Sequence, residues 1–448
     1  MEKELLEKIK AAGVVGAGGA GFPTHVKVSS SAQYVIVNGA ECEPLLKVDQ
    51  QLLELKAKEL VECLEQIVEQ TGAQKGIIAL KAKYKKALSS LERAIRGKEI
   101  ELYKLKDFYP AGDEQVTVHE VVKRVVPERA IPLEVGCIVI NVETLLNIVN
   151  AFKGKPVTET YVTITGEVAS PLTVKVPLGI TVTEAVALAG REELSGMVVI
   201  EGGPMMGQIV EPDKALTKTS KGLIILPASH SLIKEKSKCF LEIVSQSKAA
   251  CIQCSRCSDL CPRYLLGHKL EPHKIMRSLS YGKSEVEIVE MAFLCTECGL
   301  CEHYGCPMHL SPRQVNARLK KELLAKGVAA SKRRKEEARA NPLGAYRKVP
   351  SKRLKSRLGI ETYEHPAPLT EKNLRVTKVS IPVKQHIGKA SIPIVEKGQR
   401  VKKGELIAKV GENSLGANIH ASISGTVREI GERIVIETER VKKRCSGQ

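Results

Sequence analysis

Eight cysteines in two tight runs constrain this chain more than any other feature. The first run is Cys251-x2-Cys254-x2-Cys257-x3-Cys261-Pro262. The second is Cys295-x2-Cys298-x2-Cys301-x4-Cys306-Pro307. Three thiolates spaced by two residues can wrap three corners of an iron–sulfur cubane, and the fourth corner must come from elsewhere. In two-cluster ferredoxins the cysteine before the proline ligates the other cluster. The analogous pairing gives one cluster Cys251, Cys254, Cys257 and Cys306, and the other Cys295, Cys298, Cys301 and Cys261. The x4 spacing in the second run is one residue longer than the usual x3. A pair of zinc sites is the alternative. Zinc favours well-separated CxxC pairs, so three cysteines at this spacing followed by Cys-Pro make a poor zinc pattern. Two [4Fe–4S] clusters are the expectation.

The other five cysteines (Cys42, Cys63, Cys137, Cys239, Cys445) are scattered over 448 residues. A disulfide framework belongs to short secreted chains, so metal-bound thiolates in a reducing cytoplasm fit better. The start, MEKELLEKIK, has no signal-peptide core. No apolar run approaches the ~20 residues of a membrane span, so no integral membrane segment is expected. The formal net charge of +18 invites a nucleic-acid or anionic-membrane reading. Yet residues 331–357 hold eleven basic side chains (Lys332, Arg333, Arg334, Lys335, Arg339, Arg347, Lys348, Lys352, Arg353, Lys355, Arg357) against Glu336 and Glu337. Half the excess is concentrated there, and two clusters at about −2 each would lower the total to roughly +14. Trp is absent and aromatics are 3%, so base-stacking surfaces are poorly supplied and no nucleic acid is expected.

A length of 448 residues suggests two to four domains at ~150 residues each. Residues 2–11 read as an amphipathic helix, followed by a glycine-rich loop. Tyr34–Asn38 and Gly76–Leu80 read as strands, and residues 49–70 and 82–96 as helices. Cys137–Ile140 is a buried strand with a helix from Val142. This alternation predicts a mostly parallel sheet with helices on both faces over residues 1–158. Residues 159–235 read as a small α+β module. Residues 240–325 are helical segments around the cysteines, a two-cluster ferredoxin-like domain. Residues 326–375 are basic, polar and proline-containing, and read as a linker over the surface. Residues 376–440 have short strand-like runs broken by glycines, a small all-β domain. Among scattered histidines, His303 and His309 flank cluster cysteines and read as packing rather than ligands. Met205-Met206 reads as packing in a turn, and Cys42 as a buried thiol.

Gly16-Ala17-Gly18-Gly19-Ala20-Gly21 matches G-x-G-x-x-G. The dinucleotide fingerprint needs a strand before it and a helix after it. Here a helix precedes it and Phe22-Pro23 follows, so a conventional Rossmann site is not expected. Bare amides in such a loop can still cradle a phosphate.

GAGGAGFPTHVK (16–27), NGAECEP (38–44), YPAGDE (109–114) and NVET (141–144) resemble the flavin-binding subunit of respiratory complex I and its relatives. Those relatives include the C subunit of the Rnf complex and the cobalamin reductases of propanediol-utilisation microcompartments. The resemblance to the cobalamin reductases is strongest. It extends through GGPMMG (202–207), both cysteine runs with LCPRYLLGH (260–268), and QHIGKASI (385–392), and through the domain order. It implies a multidomain α/β fold: a complex I flavin-subunit-like domain, a β-grasp module, the two-cluster segment, and a C-terminal barrel-sandwich (lipoyl-like) domain. In the Rnf relatives the barrel-sandwich lies at the N-terminus instead.

By resemblance, Gly16, Gly18, Gly19, Ala20 and Gly21 lie against the phosphate and ribityl chain of FMN. Phe22 and Lys27 meet the flavin or the nicotinamide nucleotide. Asn38, Glu41, Asp113, Glu114, Asn141 and Thr144 match flavin-contacting positions, and Glu43 an acidic position that contacts NADH. Ala40 stands where the complex I protein has aspartate, which removes one polar contact. NADH yields two electrons together and a cluster accepts one, so a flavin must stand between them. The implied route runs from NADH through FMN and two clusters to cob(II)alamin. Implied partners are a cobalamin adenosyltransferase and a microcompartment shell protein, and the implied location is cytoplasmic, within or at the shell. An Rnf-type protein relaying electrons to a membrane redox complex is the alternative.

Overall fold

The computed structural model describes residues 2–281, 285–328, 338–370, 374–412 and 414–438. Its first unit is a four-stranded parallel sheet. The strands are ordered Ile100–Leu105, Lys75–Lys81, Tyr34–Gly39 and Cys137–Asn141. Their apolar runs suit strands covered on both faces. One face packs on Ala57–Thr71, Val142–Phe152 and the N-terminal helix Glu2–Ala11. Glu114–Val122 and Leu266 of the cysteine-rich segment cover the other. The helix expected over 49–70 is two helices, Val48–Leu55 and Ala57–Thr71. They are separated at Lys56, whose backbone (φ −119°, ψ 21°) leaves the helical region. The first three strands proceed in one direction, and Cys137–Asn141 adds on the opposite side of Tyr34–Gly39. The boundary between these two strands is therefore a topological switch point, where α/β sheets open a crevice at the strand C-termini.

The second unit pairs Glu159–Gly166 with Leu172–Pro177 and Gly222–Pro227, and extends through Met197–Glu201 to Gln208–Val210. Its helix Val182–Ala187 starts at a capping box, Thr181 with Glu184. The cysteine-rich segment follows. Phe240–Ala250, Pro272–Tyr281 and Pro312–Ala325 pack around Ile243, Leu270, Ile275, Met276, Leu310 and Val315.

Within the expected linker 326–375, residues 338–370 are not the surface linker their composition suggests. Val349–Pro350 pairs antiparallel with Phe108–Tyr109 of the first unit. The helix Ser351–Leu358 buries Leu354 and Leu358 in a core shared with Leu45 and Tyr109. Leu369–Thr370 then adds an edge strand to the second unit. Average composition hides this because the few apolar residues sit at helical spacing among the basic ones. Several of those charges are turned inward: Arg347 to Asp259 at 3.0 Å, Lys348 to Glu120 at 2.7 Å, Lys355 to Glu364 at 2.5 Å. Lys332, Arg333, Arg334, Lys335 and Cys445 lie outside the described residues.

Two small sheets form the C-terminal unit. One contains Lys378–Pro382, Arg433–Glu437, Gly425–Ile430 and Arg400–Val401. The other contains Ile392–Pro393, Leu406–Lys409 and Ile419–His420. Ile381, Ile407, Ile419 and Ile434 fill the space between them. This unit sits on the glycine loop. The Ile387 N–H donates to the Ala20 carbonyl at 3.0 Å. A Cβ at Gly21 would stand 2.9 Å from the Cα of His386, at a φ of +72°. Only glycine fits there. Among the described residues, no helix is long and apolar enough to cross a membrane.

Candidate functional site

The cysteines line two cavities. One is bounded by Cys261, Cys295, Cys298 and Cys301. The other is bounded by Cys251, Cys254, Cys257 and Cys306. The structure thus exchanges the two proline-preceding cysteines between the runs. Local backbone explains how each run curls. Gln253 and Ser255 in the first run, and Glu297 and Gly299 in the second, all have positive φ (55°, 57°, 60° and 82°). These alternate turns bend the chain back so that successive thiols face one space. The extra residue between Cys301 and Cys306 is taken up by a wide π-helical turn, Leu300–Gly305. Among the described residues, no three Cys, His, Asp or Glu side chains converge as for a single metal ion. Four thiols around each shared space fit a four-iron cluster. His303 and His309 turn to Glu235, at 3.1 and 3.4 Å.

The two cavities differ in setting. The Cys295 cavity abuts the first unit. The Tyr109 hydroxyl donates to the Cys298 carbonyl at 2.7 Å, and Arg263 forms a bidentate pair with Asp113 at 2.7 and 3.0 Å. At the other cavity Cys254 is exposed, flanked by Ile252 at 62% exposure and Met308 at 41%.

A second constellation sits at the switch point. Asn38, next to the last residue of its strand, and Asn141, the last of the neighbouring one, are partners in register. The glycine loop arches beside them, closed by the Gly16 N–H donating to the Phe22 carbonyl at 2.9 Å. Gly18, Gly19 and Ala20 are exposed, and a Cβ at Gly19 would meet nothing. The Ala17 N–H donates to the Thr144 hydroxyl at 2.9 Å. Lys27 donates to Glu114 at 2.8 Å and to the Val139 carbonyl at 2.9 Å. An open loop of bare amides with Lys27 near the strand ends fits a flavin phosphate at the sheet's carboxyl edge.

Other expected residues are engaged elsewhere. The Glu43 carboxylate accepts the Met205 and Met206 N–H groups at 2.9 and 3.0 Å and the Tyr109 hydroxyl at 3.3 Å. It therefore clamps a loop of the second unit. Asp113 caps the helix Glu114–Val122 while pairing with Arg263. Ala40 is fully buried, so its side chain is not part of the crevice. Met205 is buried, whereas Met206 is 48% exposed.

The residues that sequence reasoning missed come from distant segments. Lys221 lays its stem against Gly18 and pairs with Asp49, with Glu143 at 3.4 Å and with Asn141 at 3.1 Å. Burial pulls the Lys221 ammonium pKa down, but Asp49 and Glu143 outweigh it and hold it above the usual value. Lys218, buried, donates to the Gly13 carbonyl at 2.7 Å and the Asn418 carbonyl at 2.6 Å, tying three units together. Burial pushes its pKa down to about 7.

Glu41 accepts the Asp49 N–H at 2.8 Å and the Gln50 N–H at 3.2 Å. Burial, then the neighbouring Asp49, pushes its pKa up to about 7 from 4.5. The folded state therefore holds a proton that the unfolded state releases above about pH 4.5. The resulting stabilisation is full below that pH and is lost as pH rises through about 7. We expect Glu41→Gln to flatten the fall in urea midpoint across that window. Parallel pH profiles for the two proteins would refute this contribution.

Family models match along the chain in the order of the fold: the Nuo51 FMN-binding domain over residues 9–150, the SLBB domain over 161–208, the 4Fe-4S dicluster domain over 250–311, and the RnfC barrel sandwich hybrid domain over 359–445. The chain is 42% identical over 437 residues to the cobalamin reductase PduS of Citrobacter freundii, spanning 96% of this chain and 95% of that protein. It is 42% identical over 438 residues to the PduS of Salmonella typhimurium, spanning 96% of each. It is 32% identical over 275 residues to the C subunit of the Na(+)-translocating ferredoxin:NAD(+) oxidoreductase complex of Acetobacterium woodii, spanning 59% of each. The chain carries an FMN-binding domain of the complex I type and a [4Fe–4S] dicluster domain.

Proposed function

Since this chain belongs to the cobalamin reductase PduS family, we propose that it uses NADH to reduce cob(II)alamin to cob(I)alamin. It is an oxidoreductase working by flavin and iron–sulfur electron transfer. When bound, the flavin supplies exchange between two-electron and one-electron chemistry, and the clusters supply one-electron transfer.

The observation that carries the reading is the unequal setting of the two cysteine cavities. Cys261, Cys295, Cys298 and Cys301 hold theirs against the FMN-binding unit, through Tyr109 and the Arg263–Asp113 pair. Cys251, Cys254, Cys257 and Cys306 hold theirs where Cys254 and Ile252 reach solvent. The protein thus offers an inner station and an outer one, suited to an external acceptor. At the donor end, Gly18, Gly19 and Ala20 present bare backbone, while Thr144, Lys27 and Asn38 brace the main chain around it through Ala17, Val139 and Gly112. We further propose a cytoplasmic setting within or at the shell of a bacterial microcompartment, with a cobalamin adenosyltransferase and a shell protein as partners.

The test is made on anaerobically purified full chain. We expect about eight irons and one FMN per chain, and NADH-driven change of the hydroxocobalamin spectrum. Loaded protein that oxidises NADH yet leaves cobalamin untouched would overturn the acceptor and point to an Rnf-like relay. Zinc without flavin would overturn the electron-transfer reading itself.

A further inference from the structure

The cysteine-rich segment contains a short internal repeat that the cysteine spacing obscures. Leu270-Glu271-Pro272-His273-Lys274-Ile275-Met276 matches Leu310-Ser311-Pro312-Arg313-Gln314-Val315-Asn316, forty residues on. Each copy opens a helix, Pro272–Tyr281 or Pro312–Ala325. The copies cross over: Pro272 lines the Cys295 cavity and Met276 the Cys251 cavity, while Pro312 lines the Cys251 cavity and Asn316 the Cys295 cavity. His273 and Arg313 follow the same exchange.

Equivalent positions therefore carry different chemistry. At the outer cavity stand Met276, which is apolar, and His273, whose Nδ1 lies 2.7 Å from the Ser258 hydroxyl. At the inner cavity stand Asn316 and Arg313. Asn316 is 1% exposed; neither its amide nitrogen nor its amide oxygen meets an oxygen or nitrogen partner among the described residues, and its amide lies against the Cys295 thiol. The Arg313 Nε is likewise buried without a partner, although its Nη2 lies 3.6 Å from Glu302. A buried amide with no oxygen or nitrogen partner is costly, and native structures rarely keep one without a role. Here the space it borders is the one bounded by four thiols.

We propose that Asn316 and Arg313 are hydrogen-bond donors to the cluster held by Cys261, Cys295, Cys298 and Cys301, and that they raise its reduction potential. This rests on reading both cavities as [4Fe–4S] sites. One electron from the flavin side takes a four-thiolate cluster from about −2 to about −3. N–H donors and a nearby guanidinium favour the more negative state, so they favour reduction. The donors offset the opposite effect of burying the inner cluster. The repeat supplies its own control, since Met276 marks the same position without a donor.

The experiment is an anaerobic redox titration of the full chain, followed by electron paramagnetic resonance, for the parent, N316M and M276N. For N316M we expect the reduced-to-oxidised ratio of one cluster to fall about tenfold at fixed potential, equivalent to about 59 mV for one electron. For M276N we expect the other cluster's ratio to rise. Unmoved potentials, or both signals shifting together in each variant, would overturn the inference while leaving the cluster reading intact. If N316M loses iron from its cavity, M276N decides the matter alone, and an unmoved signal there is the overturning result. Zinc in place of iron in the parent would instead overturn the cluster reading.

Discussion

Replacing Cys261 with alanine empties the cavity built by the other cysteine run. Cys261 lies four residues after Cys257, yet it stands with Cys295, Cys298 and Cys301. We expect C261A to drop iron from about eight to about four per chain and to abolish NADH-driven cobalamin reduction. The site of loss is read by alkylating the native protein and mapping the modified thiols by mass. In C261A, Cys295, Cys298 and Cys301 become reactive while Cys251, Cys254 and Cys257 stay protected. C306A should give the reverse pattern, because Cys306 lines the Cys251 cavity. Reactivity confined to Cys251, Cys254 and Cys257 in C261A would mean that each run holds its own cluster.

The second large effect is expected at Lys221. Lys221 is 7% exposed, and its ammonium lies among Asp49, Glu143 and Asn141 at the switch point. Asp49 and Glu143 are 5% and 1% exposed. Lys221→Met removes the cation and leaves both carboxylates buried without it. Breaking a buried pair from one side typically costs about 3–5 kcal/mol. Burial already raises the Glu143 pKa above the usual carboxylate range, so this group would take up a proton once Lys221 is gone. K221M should therefore lower the urea midpoint of the FMN-binding unit, with the deficit shrinking at lower pH. It should also weaken FMN retention, because the Lys221 stem packs on Gly18. A variant with the parent's midpoint and flavin content would show that this network contributes little.

These two sites mark where sequence reading succeeds and where it stops. The cluster cysteines were legible because their spacing is a local property of the chain and the proline-preceding exchange is a known habit of such runs. The parallel sheet was legible from strand-like apolar runs alternating with helical periodicity, as at Tyr34–Gly39 and Ala57–Thr71. Lys221 was not legible. It follows a Thr/Ser-rich turn in the second unit, and nothing in its neighbourhood along the chain hints at Asp49 or Glu143. Asn316 had a faint signal, the repeat LEPHKIM and LSPRQVN, but its meaning depends on which cavity each helix faces.

The segment 338–370 shows the same boundary from the other side. Its charge and prolines suggest a solvated linker, yet Val349, Leu354, Leu358 and Ile360 are all buried. Four apolar side chains in a basic stretch are too few to signal a core element. They become one only because Tyr109 and Leu45 offer a surface to cover.

The sequence by itself determined the cluster chemistry, through the spacing of eight cysteines, and most of the helices and strands, for which local spacing and turn chemistry suffice. The flavin was legible only through the resemblance of the glycine-loop and NGAECEP segments to the complex I flavin subunit. Only the tertiary structure decided that Asn38 and Asn141 become neighbours at a switch point, that Lys221 reaches across to Gly18, and that one cluster cavity is inner, with Asn316 and Arg313 in its wall, while the other is outer, with Met276 and His273 in the equivalent places. The physical reason is that such contacts join residues tens to hundreds of positions apart. Their formation depends on where packed units come to rest on one another, which no local pattern encodes.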